Sequence, residues 1–163
     1  MIINTKIEDL TLKFAEKNEV DEIFYFIKEL AKYEKMENEV VATREILIEN
    51  IFNKKYCEVI LAKYKNEYIG FMLFFYNFST FLGKPGIYLE DLYIEPKYRG
   101  KGYGKEMLTN LFKIANNRGC GRVEWSCLDW NKPSLEFYKK IGAKSMDEWI
   151  TLRIDGETLK KYK

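Results

Sequence analysis

The segment Arg99-Gly100-Lys101-Gly102-Tyr103-Gly104 constrains this chain more than any other. It falls between a strand-like stretch, Ile87 to Ile94, and an amphipathic helical stretch that runs to about Arg118. Glycines at alternate positions let the backbone turn tightly and approach a ligand without Cβ interference. The N–H groups that open the following helix have no intrahelical acceptor, and together with the helix dipole they favour a phosphate or pyrophosphate. Arg99 at the head of the loop adds a planar, permanently charged donor suited to phosphate oxygens.

Spacing narrows the ligand. A Walker loop requires Gly, four residues, then Gly-Lys-Ser/Thr; here Gly104-Lys105 is followed by Glu106, and Arg99 stands at the first-glycine position. A dinucleotide fingerprint requires Gly-x-Gly-x-x-Gly, whereas Gly100, Gly102 and Gly104 give Gly-x-Gly-x-Gly, although Glu124 lies about the right distance downstream to meet a ribose. The pattern that fits is Arg-x-x-Gly-x-Gly.

The surrounding chain reads as one continuous domain over 1–163, without internal repeats, low-complexity tracts or Pro/Gly/Ser linkers. A first strand is expected over Thr11 to Phe14. Val20, Ile23, Phe24, Ile27, Leu30 and Ala31 recur at helical spacing and predict a helix ending near Met36, followed by a shorter one from about Thr43 to Phe52. Cys57 to Tyr64 and Tyr68 to Phe78 flank Lys65-Asn66-Glu67 and read as a hairpin. Gly83-Lys84-Pro85-Gly86 precedes the Ile87 to Ile94 strand, which Pro96 closes. Met107, Leu108, Leu111, Phe112 and Ala115 mark the apolar face of the central helix, stopped by Gly119. Val123, Trp125 and Cys127 alternate as in a strand, Pro133 opens a helix carrying Leu135, Tyr138 and Ile141, and Trp149 to Ile154 predicts a last strand. Strands grouped early with helices between them imply an α/β (α+β) fold, a mixed sheet with helices on both faces.

A chain of 163 residues that is 47% hydrophobic can bury one real core. Lys+Arg 27 against Asp+Glu 25 leaves a net +2, so no general field points to nucleic acid or an acidic membrane, and the cradle's anion must be met locally. Cys57, Cys120 and Cys127 form no C-x-x-C pair and read as small apolar groups, two of them in apparent strands. No signal-peptide pattern opens the chain, so the cytoplasm is the expected compartment. The longest apolar run, Phe71 to Tyr76, is too short for a bilayer. With no histidine, imidazole catalysis is excluded and no metal site is expected.

Arg-x-x-Gly-x-Gly resembles the coenzyme A loop of the GNAT acetyltransferases, and the resemblance extends over nearly all of the chain. Phe26-Ile-Lys-Glu-Leu-Ala-Lys-Tyr-Glu34, Tyr88-Leu-Glu-Asp91, Tyr98-Arg-Gly100, Asp129-Trp-Asn131 and Phe137-Tyr-Lys139 look like the diamine acetyltransferase branch, which includes spermidine/spermine and thialysine N-acetyltransferases. The resemblance implies a GNAT fold, a mixed sheet of about six to seven strands splayed between the fourth and fifth to admit the pantetheine arm of acetyl-CoA. Backbone N–H groups of Leu92, Tyr93 and Ile94 would meet that arm or polarise the acetyl carbonyl, provided the sheet leaves their edge open. Arg99, Gly100, Lys101, Gly102, Tyr103, Gly104 and Lys105 would hold the diphosphate, and Asn131, Lys132, Pro133 and Ser134 would also touch the cosubstrate. Asn131 equally suits a helix cap. Ile141 stands where relatives can place a basic cosubstrate contact. Relatives form homodimers, which implies one here.

Acetyl transfer to an amine meets a protonation problem. An alkylammonium of pKa about 10.4 is neutral in roughly one molecule per thousand near pH 7.4, a penalty of about 4 kcal/mol. Glu90 is the candidate base, since it lies in the strand leading to the cradle, where an unpaired charge is costly. Strand alternation sends Asp91 to the opposite face unless a bulge intervenes. The family pattern selects Glu90, with a raised pKa or a relay through water, because an ordinary glutamate is a weak base for this task. The departing thiolate needs a proton, and the resemblance places Tyr138 as its donor, a phenol of pKa about 10 facing a thiol of about 8.5.

A cationic acceptor needs carboxylates and aromatic faces. Tyr33, Glu34, Glu90, Asp91, Trp125, Ser126 and Glu148 match acceptor-site positions of the resembled branch, although Glu34 could instead pair with a lysine of its own helix. Ser79-Thr80-Phe81-Leu82-Gly83-Lys84 lacks the acidic residue of the spermidine/spermine type and looks nearer the thialysine type, as does Leu128-Asp-Trp-Asn131. A short amine or lysine-like amino acid is therefore the expected acceptor, with protein lysines as an alternative. A noncatalytic CoA sensor would keep the cradle but lose the acid and base, which Glu90 and Tyr138 argue against. A nucleic-acid module could use Phe 11, Tyr 12 and Trp 3, but the balanced charge gives it no phosphate-tracking patch.

Overall fold

Aromatic and β-branched residues in period two build a six-stranded mixed sheet in the computed structural model, which describes residues 1–162. The sheet belongs to the first of two units, Met1–Ser126; the second begins at Cys127. Its strands lie side by side in chain order: β1 (Ile2–Asn4), β2 (Leu10–Phe14), β3 (Glu58–Tyr64), β4 (Glu67–Ser79), β5 (Lys84–Ile94) and β6 (Val123–Trp125). The first five are antiparallel. β6 is parallel to β5, which requires a crossover, and α3 (Tyr103–Asn117) supplies it.

One face of the sheet carries α1 (Val20–Glu34). Ile23 and Phe26 bury against Val59, Leu61, Phe71 and Tyr93, and the Phe26 ring stacks on Phe71 with centroids 5.8 Å apart. Phe74, of opposite parity in β4, faces the other side, where the Arg118 guanidinium at the end of α3 lies 6.0 Å from its ring. The second helix is α2 (Arg44–Leu47), capped by the Thr43 hydroxyl at 3.3 Å from the Ile46 N–H and continued as π-helical turns over Ile48–Asn53.

Two irregularities of β5 position the site. Leu73 pairs with Asp91 and Phe74 with Leu89, so Glu90 is the inserted residue of a bulge. Parallel pairing with β6 covers only Ile87↔Val123, Tyr88↔Glu124 and Leu89↔Trp125. From Glu90 to Ile94 no strand among the described residues covers that edge of β5, which is where the expected fourth and fifth strands were to part.

Several expected boundaries shift. β1 precedes the expected first strand and is short and largely exposed, with no apolar alternation to reveal it. The hairpin turn is Lys65-Asn66, with Lys65 in the left-handed region (φ 55), so β4 begins at Glu67. Cys57 and Cys127 fall just outside β3 and β6. Trp149 to Ile154 is not a strand: Trp149 is 76% exposed and Leu152 89%, and the segment pairs with no strand among the described residues. Alternation alone cannot make a strand without a neighbour for its hydrogen bonds. The second unit contains α4 (Lys132–Lys140) and α5 (Gly156–Lys160). Among the described residues no helix is long and apolar enough to cross a membrane.

Candidate active site

The cradle is built by a turn that only glycine adopts cheaply. Gly100 and Gly102 have φ of 75 and 85°, and Gly102 is the residue from which α3 starts. The first helical hydrogen bond runs from the Glu106 N–H to the Gly102 carbonyl at 3.0 Å, so the N–H groups of Tyr103, Gly104 and Lys105 precede any helical acceptor. A Cβ built on Gly104 would meet no atom within 4 Å. Protein packing therefore does not require glycine there, and the open space beside free donors suits a ligand's diphosphate. Tyr103 anchors the turn with a buried ring 5.4 Å from Tyr64, so its side chain is core and only its backbone joins the cradle. Lys101 and Lys105 are exposed and supply positive charge.

Arg99 does more than head the loop. Its Nε–H donates to the Ile94 carbonyl at 2.7 Å, and its guanidinium lies 4.5 Å from the Tyr33 ring and 5.2 Å from the Tyr93 ring. The Glu95 N–H turns inward to the Ile69 carbonyl at 2.9 Å. By alternation the backbone of Tyr93 faces β4, while that of Leu92 and Ile94 faces the open edge. A Cβ on Gly70 would come within 2.2 Å of the Tyr93 carbonyl, consistent with that inward direction. Of the three residues expected to serve the pantetheine arm, Leu92 and Ile94 turn their backbone groups to the open edge and Tyr93 turns its own to β4.

Asp91 and Glu34 meet on the α1 face. Tyr93 and Asp91 stand opposite Phe71 and Leu73, both packed in the α1-side core. Burial first, then the charges of Glu90 and Glu34, push the Asp91 carboxyl up to about 7. Burial also raises Glu34, and no lysine pairs with it among the described residues. Beside them, burial and the charges of Asp91, Glu58 and Glu90 raise the Cys57 thiol. A bulge at Glu90 explains how adjacent residues come to act on one side of the strand. Glu34 and Asp91 are half-buried and Glu90 is exposed; half-buried carboxylates without a cation are costly for the protein alone and favourable for a cationic ligand.

Next to this edge, Trp125 of β6 stacks on Phe112 at 6.2 Å, and the Ser126 hydroxyl is 2.6 Å from that of Tyr88. Six of the seven expected acceptor residues, all but Glu148, belong to the first unit. In the second unit, Asn131 caps α4, its side-chain oxygen accepting from the Ser134 N–H at 3.4 Å. Lys132 and Pro133 are exposed in the first turn of that helix, and Tyr138 is partly buried near its end with its ring 5.4 Å from that of Phe137. Glu148 is exposed in the segment that follows.

The acetyltransferase (GNAT) family model matches residues 17–143. A thialysine N-epsilon-acetyltransferase of Mus musculus is 31% identical over 162 residues, spanning 92% of this chain and 95% of that protein. The chain belongs to the GNAT acetyltransferase family. An L-ornithine N5-acetyltransferase of Arabidopsis thaliana is 46% identical over 90 residues, covering 55% of this chain and 40% of its own. Among solved structures, an integron cassette protein from the mobile metagenome of V. cholerae matches with a TM-score of 0.79 at 26% identity, covering 96% of this chain and 98% of that one. These relationships make the chain an acetyl-CoA-dependent N-acetyltransferase.

Sequence reasoning missed three features of this GNAT site. The link from Arg99 to the Ile94 carbonyl depends on a side chain folding back over five residues, which no motif spells out. The Tyr88 to Ser126 contact depends on the parallel register. The raised carboxyl of Asp91 depends on burial, on the charge of Glu90 beside it and on that of Glu34 in α1; the Glu-Asp doublet was the only available signal.

Proposed function

We propose that this acetyltransferase modifies a primary amine of a small diamine, polyamine or lysine-like amino acid, with the thialysine type favoured. The observation that carries the reading is the group of carboxylates, Glu34, Glu90 and Asp91, without a cationic partner among the described residues. Glu90 and Asp91 lie in the stretch of β5 that runs into the cradle, and the charge of Glu34 in α1 acts on Asp91. Mouse thialysine and Arabidopsis ornithine acetyltransferases both act, by name, on amino acids whose side chains end in a primary amine.

Acetyl-CoA, when bound, supplies a thioester-activated acetyl group. The N–H groups of Tyr103, Gly104 and Lys105, with Arg99, Lys101 and the turn through Gly100 and Gly102, are the residues assigned to its diphosphate. The backbone of Leu92 and Ile94 serves its amide-bearing arm, and Asn131 to Ser134 add contacts from the second unit. Glu34, Glu90 and Asp91 attract the ammonium form of the acceptor, with Tyr33, Trp125, Ser126 and Glu148 completing its surroundings. The proton then passes to the Glu90/Asp91 pair, directly or through water. A carboxyl near pKa 7 is matched to that role at neutral pH. Tyr138 donates to the departing thiolate. The amine attacks directly within a ternary complex, the two units act as one catalytic domain, and the active form is a homodimer.

Acetyl-CoA consumption across thialysine, lysine, ornithine, short diamines, spermidine and a lysine peptide tests this reading. Thialysine, ornithine or lysine should exceed spermidine and the peptide at least tenfold in kcat/KM. Preference for spermidine or the peptide by the same margin would overturn the acceptor assignment.

A further inference from the structure

We infer that Arg99 and Tyr33 form a strut that couples the cradle to the acceptor-side end of α1, so that cosubstrate and amine bind with positive, reciprocal cooperativity. The inference rests on the acetyltransferase reading above and goes beyond it, because it assigns a positioning role to a residue pair that spans the two halves of the site.

Arg99 contacts three groups although the residue is exposed. Its Nε–H is fixed to the Ile94 carbonyl at 2.7 Å, and its guanidinium lies against Tyr93, whose side chain is buried in the core. Its closest ring is Tyr33, at 4.5 Å, on the last turn of α1. That turn is the end of the helix: Lys35 adopts φ 62, and the Met36 N–H closes on the Ala31 carbonyl at 2.8 Å. Tyr33 is followed directly by Glu34, whose charge acts on Asp91. A single guanidinium at the head of the cradle thus touches the open edge of β5 and the helix end that carries an acceptor-site carboxylate.

An anion in the cradle engages the remaining N–H donors of Arg99 and restricts the side chain. A restricted guanidinium restricts Tyr33 and with it the turn bearing Glu34. The ordering cost is then met once, by whichever ligand binds first, and the second ligand binds more tightly by the same factor in either order.

Calorimetry with CoA and thialysine, each alone and each in the presence of the other, reads this factor directly. In the native chain each ligand should raise the affinity of the other about fivefold or more. Tyr33→Phe keeps the ring and should keep the factor, while Tyr33→Leu and Arg99→Lys should bring it close to one. A purely structural role would change affinities or melting temperature and leave the factor intact. The strut is refuted if Tyr33→Leu and Arg99→Lys both retain the native factor, or if the native factor is itself one. Absence of any CoA binding to the native chain is a different result, which refutes the acetyltransferase reading and the strut with it.

Discussion

The Glu34 carboxylate, in the last turn of α1, acts on Asp91 of β5, and no cation pairs with either among the described residues. Removing one proton from this group is therefore easy to detect. The expected kcat/KM profile rises with pH through an inflection near 7, as Asp91 loses its proton. Asp91→Asn should abolish that inflection and lower kcat by about tenfold to a hundredfold. An unchanged profile in the variant would assign the inflection to another group.

The same carboxyl makes a stability prediction of opposite sense. Its folded-state value, about 7, exceeds its ordinary value of 3.8, so between these limits the folded chain holds a proton that the unfolded chain has lost. The associated stability is fully present below pH 3.8 and is lost as pH rises through about 7. Asp91→Asn should therefore stabilise the protein at pH 8, by on the order of 2 kcal/mol. No such gain is expected at pH 4, and urea unfolding at the two values makes the comparison.

Tyr138→Phe removes one hydroxyl from α4 and leaves the ring. The expected result is a fall in kcat of about a hundredfold or more with the KM for the amine within a factor of about three, since a proton donor to the leaving group acts in the transition state. Turnover at the native rate would remove Tyr138 from the chemistry and favour water as the donor.

Gly70 offers a test of the sheet itself. A Cβ there would fall 2.2 Å from the Tyr93 carbonyl and 2.8 Å from the Ile94 side chain, at the end of β5 that carries the open edge. Gly70→Ala is expected to destabilise the fold by about 1–3 kcal/mol, read as a lower urea midpoint with an unchanged slope.

Much of this was legible before any coordinates. The glycine turn, its position ahead of α3 and the order of β3, β4 and β5 follow from local rules, because positive φ, helix periodicity and aromatic alternation are written in consecutive residues. What was not legible depends on pairing between distant segments. The bulge that inserts Glu90 is a mismatch of count between β4 and β5, and neither strand reveals it alone. Asp91 gains its proton affinity from burial, from the neighbouring Glu90 and from Glu34, fifty-seven positions away in sequence by the numbering. Trp149 to Ile154 shows the converse: an alternating pattern with no neighbouring strand among the described residues formed no strand.

The central claim is that the start of α3 holds the diphosphate of CoA, and Gly104 tests it most directly, because nothing in the protein occupies the space beside it. Calorimetric titration of CoA should be run on the native chain and on Gly104→Val, with melting temperature as the control for folding. The expected result is clear binding to the native chain, at least tenfold weaker binding to the variant, and a melting temperature no lower than native, since valine suits a helix better than glycine. Equal affinity in both proteins would contradict it.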